Sequence, residues 1–329
     1  MEKAVDIVAL GEMLIDFTEA GYSDDGRRLF EQNPGGAPAN LLTVASHMGY
    51  RTSFIGKVGA DMHGEFLKQT LEAEHIATDA LIIDENYFTT LAFVAINEHG
   101  EREFSFARKP GADTQLNKTE LDSGLLERCK IFHFGSLSLT AEPSRETTFE
   151  ALRIAKKAGA WISYDPNYRA PLWKDQQTAV EGMKSVISQV DVMKVSDEES
   201  LLLTGAPDYE AAADMLLTMG PKLIAVTLGG DGVLMATSEK KEVIGGFKVD
   251  AVDTTGAGDS FWGGFLSGLL ALDKRLGELG WEEIRDCAIQ GNATAALCVQ
   301  KRGGIPAIPT LQEVRGLLEK HRGDLLRNK

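Results

Sequence analysis

The chain has 329 residues, 43% of them hydrophobic and 25% charged, with a formal net charge of −15. That supplies ample apolar material for a large core, in one domain or two. The carboxylate excess repels polyanions, which excludes nucleic acid and anionic membrane surfaces as expected partners; a small anion held by local backbone amides stays compatible with it. Three scattered cysteines, Cys129, Cys287 and Cys298, form no C-x-x-C pair, so neither a disulfide framework nor a zinc cluster is expected, and a reducing cytoplasm suits them. The N-terminal apolar run lacks a cleavage-site pattern and reads as a first core strand. No run reaches the roughly 20 apolar residues of a membrane span.

Taken in chain order, "DIVAL" (6–10) is a short apolar run of buried-strand type. Asp16 follows at the end of this strand. "NPGGAPAN" (33–40) then leads two glycines, Gly35 and Gly36, into a helix expected over 37–48, with Pro38 in its first turn. This motif is either a capped loop or a cradle for a small polar ligand. In the second reading the ligand lies against the Gly35–Gly36 backbone, the Asn40 amide points at it, and Asp16 accepts from paired hydroxyls, as a sugar diol would offer. "TSFIGKV" and a helix over 60–74 come next. Residues 88–107 alternate apolar and polar around "NEHG", which predicts a hairpin instead of a crossover unit. Further strands are expected at "KIFHFGS", "WISYD", "DVMKV" and "KLIAVTL", separated by helices over 144–158, 178–189 and 209–219. Such alternation predicts an α/β fold, a mostly parallel sheet with helices on both faces. Ligands in such sheets sit beyond the carboxyl ends of the strands. The last third carries two small-residue-rich helices, "TGAGDSFWGGFLSGLLAL" and "IRDCAIQGNATAALCVQ", and an amphipathic helix over 310–321.

"DTTGAGD" (253–259) stands between an expected short strand, "FKVDAV", and a helix starting near Gly258. The amides of Gly256, Ala257 and Gly258 would point out of the helix start and cradle an oxyanion or a phosphoryl group in transfer. Asp259 is then either a first-turn acid that favours the helix end or a base for a hydroxyl attacking phosphorus held in the cradle. Asp253 and Thr255 are either turn residues or oxygen ligands of a monovalent cation. No G-x-x-x-x-G-K-[ST], no G-x-G-x-x-G after the first strand and no H-E-x-x-H occurs, which argues against P-loop, dinucleotide and catalytic-zinc chemistry.

"GEMLIDF", "NPGGAPAN", "IGKVGADMHG", "KPGADT", "DPNYRAPLW", "TLGGDG" and "DTTGAGDSF" fall in the order seen in the ribokinase-like (PfkB) carbohydrate kinases. Across essentially its whole length the chain resembles that family, and within it the bacterial fructokinases. The resemblance implies one ribokinase-like α/β/α domain over 1–329 with a small β-sheet lid from segments near 12–34 and 88–112. It implies ATP-dependent phosphorylation of D-fructose to D-fructose 6-phosphate, with 2-keto-3-deoxygluconate or another sugar as the alternative substrate. Asp259 would be the base, Gly256–Gly258 the anion hole and Arg169 a transition-state cation. Asp16, Gly35, Gly36, Asn40, Phe106, Arg108, Asn167 and Arg169 would meet the sugar. Lys194, Thr227, Gly229, Gly232 and Asn292 would meet the nucleotide. Glu199 would serve Mg2+ through water, and Asp253 and Thr255 a potassium ion. One departure is "SDEE", which puts Ser196 where many members have Asn. The apolar "LAFVAI" of the lid hairpin predicts a homodimer through the lids.

Overall fold

A computed structural model describes residues 3–96 and 102–327. In chain order its elements are β1 (Val5–Leu10), β2 (Leu14–Tyr22), β3 (Arg28–Gly35), α1 (Ala37–His47), β4 (Thr52–Gly59), α2 (Met62–Ala73), β5 (Leu81–Asp84), β6 (Leu91–Ile96) and β7 (Arg102–Ala107). They continue with α3 (Ser123–Glu127), β8 (Cys129–Gly135), α4 (Ser144–Lys157), β9 (Trp161–Asp165), α5 (Gln176–Lys184), β10 (Val192–Ser196), α6 (Asp197–Thr204), α7 (Tyr209–Thr218) and β11 (Leu223–Thr227). The chain closes with β12 (Val233–Ala236), β13 (Lys241–Ile244), α8 (Ala257–Leu272), α9 (Trp281–Cys298) and α10 (Leu311–Arg327).

The large sheet has the order β13-β12-β11-β10-β9-β8-β1-β4-β5. Strands β11 through β5 in that order run parallel; β12 and β13 add an antiparallel hairpin at one edge. The pleat divides each apolar run between two cores. Val8 and Leu10 of β1 pack with α4, α5 and α7 on one face. Ile7 and Ala9 pack with α1, α2, α8 and α9 on the other. Because both faces are covered, parallel strands read as unbroken apolar runs. The architecture is a three-layer α/β/α sandwich.

A second, four-stranded sheet has the order β3-β2-β6-β7. The expected hairpin supplies β6 and β7, paired antiparallel from Leu91–Ala107 to Ile96–Arg102. Its "NEHG" turn lies outside the described residues. Among the described residues, no helix is long and apolar enough to cross a membrane.

Two expectations fail. "FKVDAV" is not a strand: β13 ends at Ile244, Gly245 and Gly246 follow, and the Val252 and Asp253 N–H groups both donate to the Val299 carbonyl past α9. They tie a loop to a helix end instead of extending a ladder. The helix expected over 178–189 runs as α5 and stops at Lys184; a 3₁₀ turn over Ile187–Gln189 completes the segment.

Candidate active site

A cavity of about 780 Å³ lies beyond the carboxyl ends of β9, β10 and β11, under the small sheet. The N-termini of α1 and α8 both line it. Each begins at a glycine with positive φ: Gly36 at 128° and Gly256 at 74°. Neither start has a side-chain cap.

At α1, Gly36 lies so close to the β1–β2 connection that a Cβ there would stand 2.5 Å from the Glu12 carbonyl oxygen. The Ala37 N–H donates to Glu12 Oε1 at 3.1 Å. Gly35 faces the Asp16 carboxylate, and any Cβ would collide with Asp16 Oδ2. Burial pushes the Asp16 carboxyl up to about 6, against the opposing pull of Arg169.

At α8, the Ala257 N–H donates to the Thr254 carbonyl at 3.2 Å. The Gly256 and Gly258 amides have no acceptor among the described residues. Of the three donors expected to form a cradle, these two stay free for an incoming anion. A Cβ on Gly258 would stand 2.7 Å from Lys194 Nζ, so the ammonium lies directly beneath the first turn.

Asp259 sits between the two helix starts, 8% exposed. Its carboxylate caps nothing locally. Oδ2 accepts from Asn40 Nδ2 at 2.8 Å and Oδ1 from Asn167 Nδ2 at 3.2 Å. The first bond joins residues 219 apart in sequence. Burial and the Asp165 charge raise its carboxyl to about 6, and Lys194, Asn40 and Arg169 hold it from rising further. At neutral pH it is ionised and still a better base than an ordinary aspartate.

The cavity also brings together Asp16, Phe106, Arg169, Lys194, Glu199, Thr227, Gly229, Asp253 and Thr255. Four expected contacts lie off its wall. Gly35 stands behind Asp16. Gly232 closes the β11–β12 turn. Arg108 is bound to Asp113 at 2.6 Å, to Thr140 Oγ1 at 2.9 Å and to the Leu137 carbonyl at 3.0 Å. That makes Arg108 an internal strut at the root of β7, and gives "PGAD" the role of its anchor. Asn292 donates to the Ile244 and Gly245 carbonyls, both at 3.1 Å, and braces the end of β13.

Ser196 caps α6, and Glu199 returns the bond in a capping box. The other Glu199 oxygen accepts from the Tyr168 N–H at 2.6 Å. Asp253 Oδ1 accepts from the Thr255 N–H and hydroxyl, and Oδ2 from the Gly303 N–H at 3.0 Å. It braces the 253–255 turn against the turn after α9. Among the described residues no three acidic, histidine or cysteine side chains gather as a metal cage. This donor set fits a cation held chiefly by phosphate oxygens and water.

Two lining or supporting carboxylates escaped the sequence reading, Glu12 and Asp165. Burial, together with the Asp113 charge, pushes Glu12 up to about 7. A lone acid inside "VALGEML" was the available signal.

A family model described as "pfkB family carbohydrate kinase" matches residues 4–311. The chain is 41% identical over 317 residues to Fructokinase-2 of Zea mays, covering 95% of this chain and 94% of the relative. A solved fructokinase with bound ATP from Xylella fastidiosa superposes with a TM-score of 0.91 at 32% identity, covering 98% of this chain and 100% of the other. A fructokinase from Vibrio cholerae O395, solved with fructose, ADP and calcium ion, superposes with a TM-score of 0.86 at 32% identity, over 95% and 98% of the two chains.

Proposed function

The chain belongs to the pfkB family of carbohydrate kinases, and we propose that it is an ATP-dependent fructokinase making D-fructose 6-phosphate. One observation carries the chemistry: buried Asp259 stands between the α1 start, with Asp16, Gly36 and Asn40, which we read as the hydroxyl-binding end, and the α8 start, with the Gly256 and Gly258 amides, which we read as the anion-binding end. Fructose as the substrate is supported by full-length similarity to fructokinases.

In this reading the primary hydroxyl of the sugar lies at Asp259, in line with the γ-phosphorus of ATP. The new O–P bond forms as the bond to the β–γ bridging oxygen breaks, and ADP leaves. The hydroxyl proton passes to Asp259. Because the transition state is loose, that transfer comes late and positioning does most of the work. The Gly256 and Gly258 amides, Lys194 and Arg169 offset the charge on the phosphoryl oxygens. Bound Mg2+ would neutralise the β- and γ-phosphates, with Glu199 reaching it through water. Oxygens of the Asp253–Thr255 turn would hold a potassium ion behind the amides.

The small sheet acts as a lid over the sugar, excluding water. Phe30 and Phe93 leave its other face partly exposed and pack edge to face with centroids 5.9 Å apart. This apolar face supports a homodimer through the lids, which light scattering at micromolar concentration would detect; a monomer would refute it. Three buried, unpaired cysteines suit a cytoplasmic enzyme.

The sugar acid 2-keto-3-deoxygluconate is the poorer fit. Arg108, one candidate partner for its carboxylate, is spent on Asp113. A coupled ADP-release screen over hexoses, pentoses, nucleosides and keto acids tests the assignment. Fructose should give the highest kcat/KM, and a higher value on the keto acid would overturn it.

A further inference from the structure

Beneath the transfer site Lys194 is held in a buried ion pair, and the reaction as described gives its carboxylate partner, Asp165, no role. Lys194 Nζ and Asp165 Oδ2 are 2.8 Å apart, with side chains 8% and 3% exposed. Two buried charges must be desolvated together, so such a pair is weak evidence of stabilisation and invites another explanation. Its partners supply one. Asp165 Oδ1 accepts from the Asn167 N–H at 3.1 Å. Asn167 sits at a φ of 46°, uncommon for a non-glycine residue, and from there its Nδ2 reaches Asp259 Oδ1. The other half of the pair places an ammonium under Gly258, where a Cβ would leave no room.

We propose that Asp165 is a positioning residue for phosphoryl transfer, holding the Lys194 ammonium beneath the anion-binding amides and the Asn167 amide against Asp259. This rests on the reading of Asp259 as base and of Gly256 and Gly258 as anion donors. One carboxylate thereby sets both ends of the in-line geometry: the charge behind the phosphoryl group and the orientation of the base. The charged and titratable groups facing Asp259 are Asp165 at the end of β9, Lys194 on β10, Arg169 in the loop after β9 and Cys298 on α9. Glu199 faces Lys194 from α6. Among these, Asp165 raises the Asp259 carboxyl the most, and Lys194 and Arg169 lower it.

The test compares Asp165→Asn and the doubly neutral Asp165→Asn/Lys194→Met with the parent enzyme. Steady-state kinetics on fructose run from pH 5 to 9, and circular dichroism confirms folding. Asp165→Asn keeps an oxygen for the Asn167 N–H but removes the charge. We expect kcat to fall by roughly ten- to a hundredfold, with sugar KM within about twofold. The acid limb of kcat should move down by about one pH unit, because removing the negative charge and unmasking Lys194 both favour ionised Asp259. A purely structural role would lower thermal stability without moving that limb. Should Asp165→Asn fail to fold, the double variant removes both members of the ion pair together and should still lose at least tenfold in kcat. Either folded variant with kcat within twofold of the parent, or a single variant with an unmoved limb, overturns the proposal. Asp259→Asn run alongside separates the two readings: if it stays active, the site assignment itself is wrong.

Discussion

The starts of α1 and α8 are built alike and work differently. Both begin at a positive-φ glycine, both lack a side-chain cap, both face one cavity, and the Asn40–Asp259 bond joins them. What lies behind each differs. At α1 the first amide is already taken by Glu12 Oε1, so that donor is spent within the protein. At α8 two amides stay free and an ammonium stands beneath them. A second anion is unfavourable at the first and favoured at the second. A glycine-rich helix start is therefore not an anion site by itself; the charge that backs it decides whether a neutral hydroxyl compound or a phosphate belongs there.

The largest test of this contrast removes the residue between the two ends. Asp259→Asn keeps the shape and one of the two acceptor oxygens that Asn40 and Asn167 donate to, but cannot take a proton. We expect kcat to fall about a hundred- to ten-thousandfold, with fructose KM changed only a few-fold. Turnover near the parent level would show that neither end acts through Asp259.

A matched pair of alanine substitutions separates the ends. Gly36→Ala forces a side chain into positive φ and against the Glu12 carbonyl, at a cost of about 1–3 kcal/mol. It should lower the melting temperature and raise sugar KM. Gly258→Ala meets only the tip of a flexible lysine in ordinary helical backbone. It should lower the melting temperature less than Gly36→Ala does, leave sugar KM within about twofold, and lower kcat about tenfold by displacing the ammonium. If both variants show the same signature, the division between a sugar end and a phosphate end is wrong.

The contrast also has a pH signature. The Asp259 carboxyl sits at about 6, so kcat on fructose should fall as pH drops through 6 and level off above 7. An acid limb near the ordinary aspartate range, around 4, would mean that Asp259 is not the titrating base.

The large sheet was legible because buried parallel strands are short, continuous apolar runs separated by helix-length segments. Periodicity made the small sheet legible only where β6 and β7 alternate strongly. Strands β2 and β3 were expected only through the family resemblance, near 12–34: "LIDFTEAGY" and "RLFEQNPG" are half exposed, so their apolar residues keep no clean period. The edge hairpin β12–β13 was missed for lack of length. At the site, the glycines announced close approach, but not what approached. Lys194 beneath Gly258 comes from an element distant in sequence, and Asp16 meets Gly35 only through the pairing of β2 with β3. Arg108 and Asn292 went the other way: each has the chemistry of a ligand contact, yet each is bonded to its own scaffold, Asp113 and the β13 carbonyls. Spacing cannot distinguish a side chain aimed into a cleft from one turned back to brace its wall.

The smallest expected effect tests the quieter helix start. Glu12 Oε2 is buried without a partner, while Oε1 holds the Ala37 N–H. Burial raises this carboxyl from 4.5 to about 7. Between those values the folded state binds more protons than the unfolded state, so stability falls as pH rises through that window and stays at its low level above it. Glu12→Gln keeps the acceptor for Ala37 and removes the charge. It should raise the melting temperature by about 2–5 °C at pH 8, where Glu12 is ionised, and change little at pH 4, where both states are protonated. The amide nitrogen inherits the unpaired site, which keeps the gain small. A melting temperature that falls equally at both pH values would mean that the carboxylate charge is needed at α1, and that this helix start depends on its counter-charge as much as α8 does.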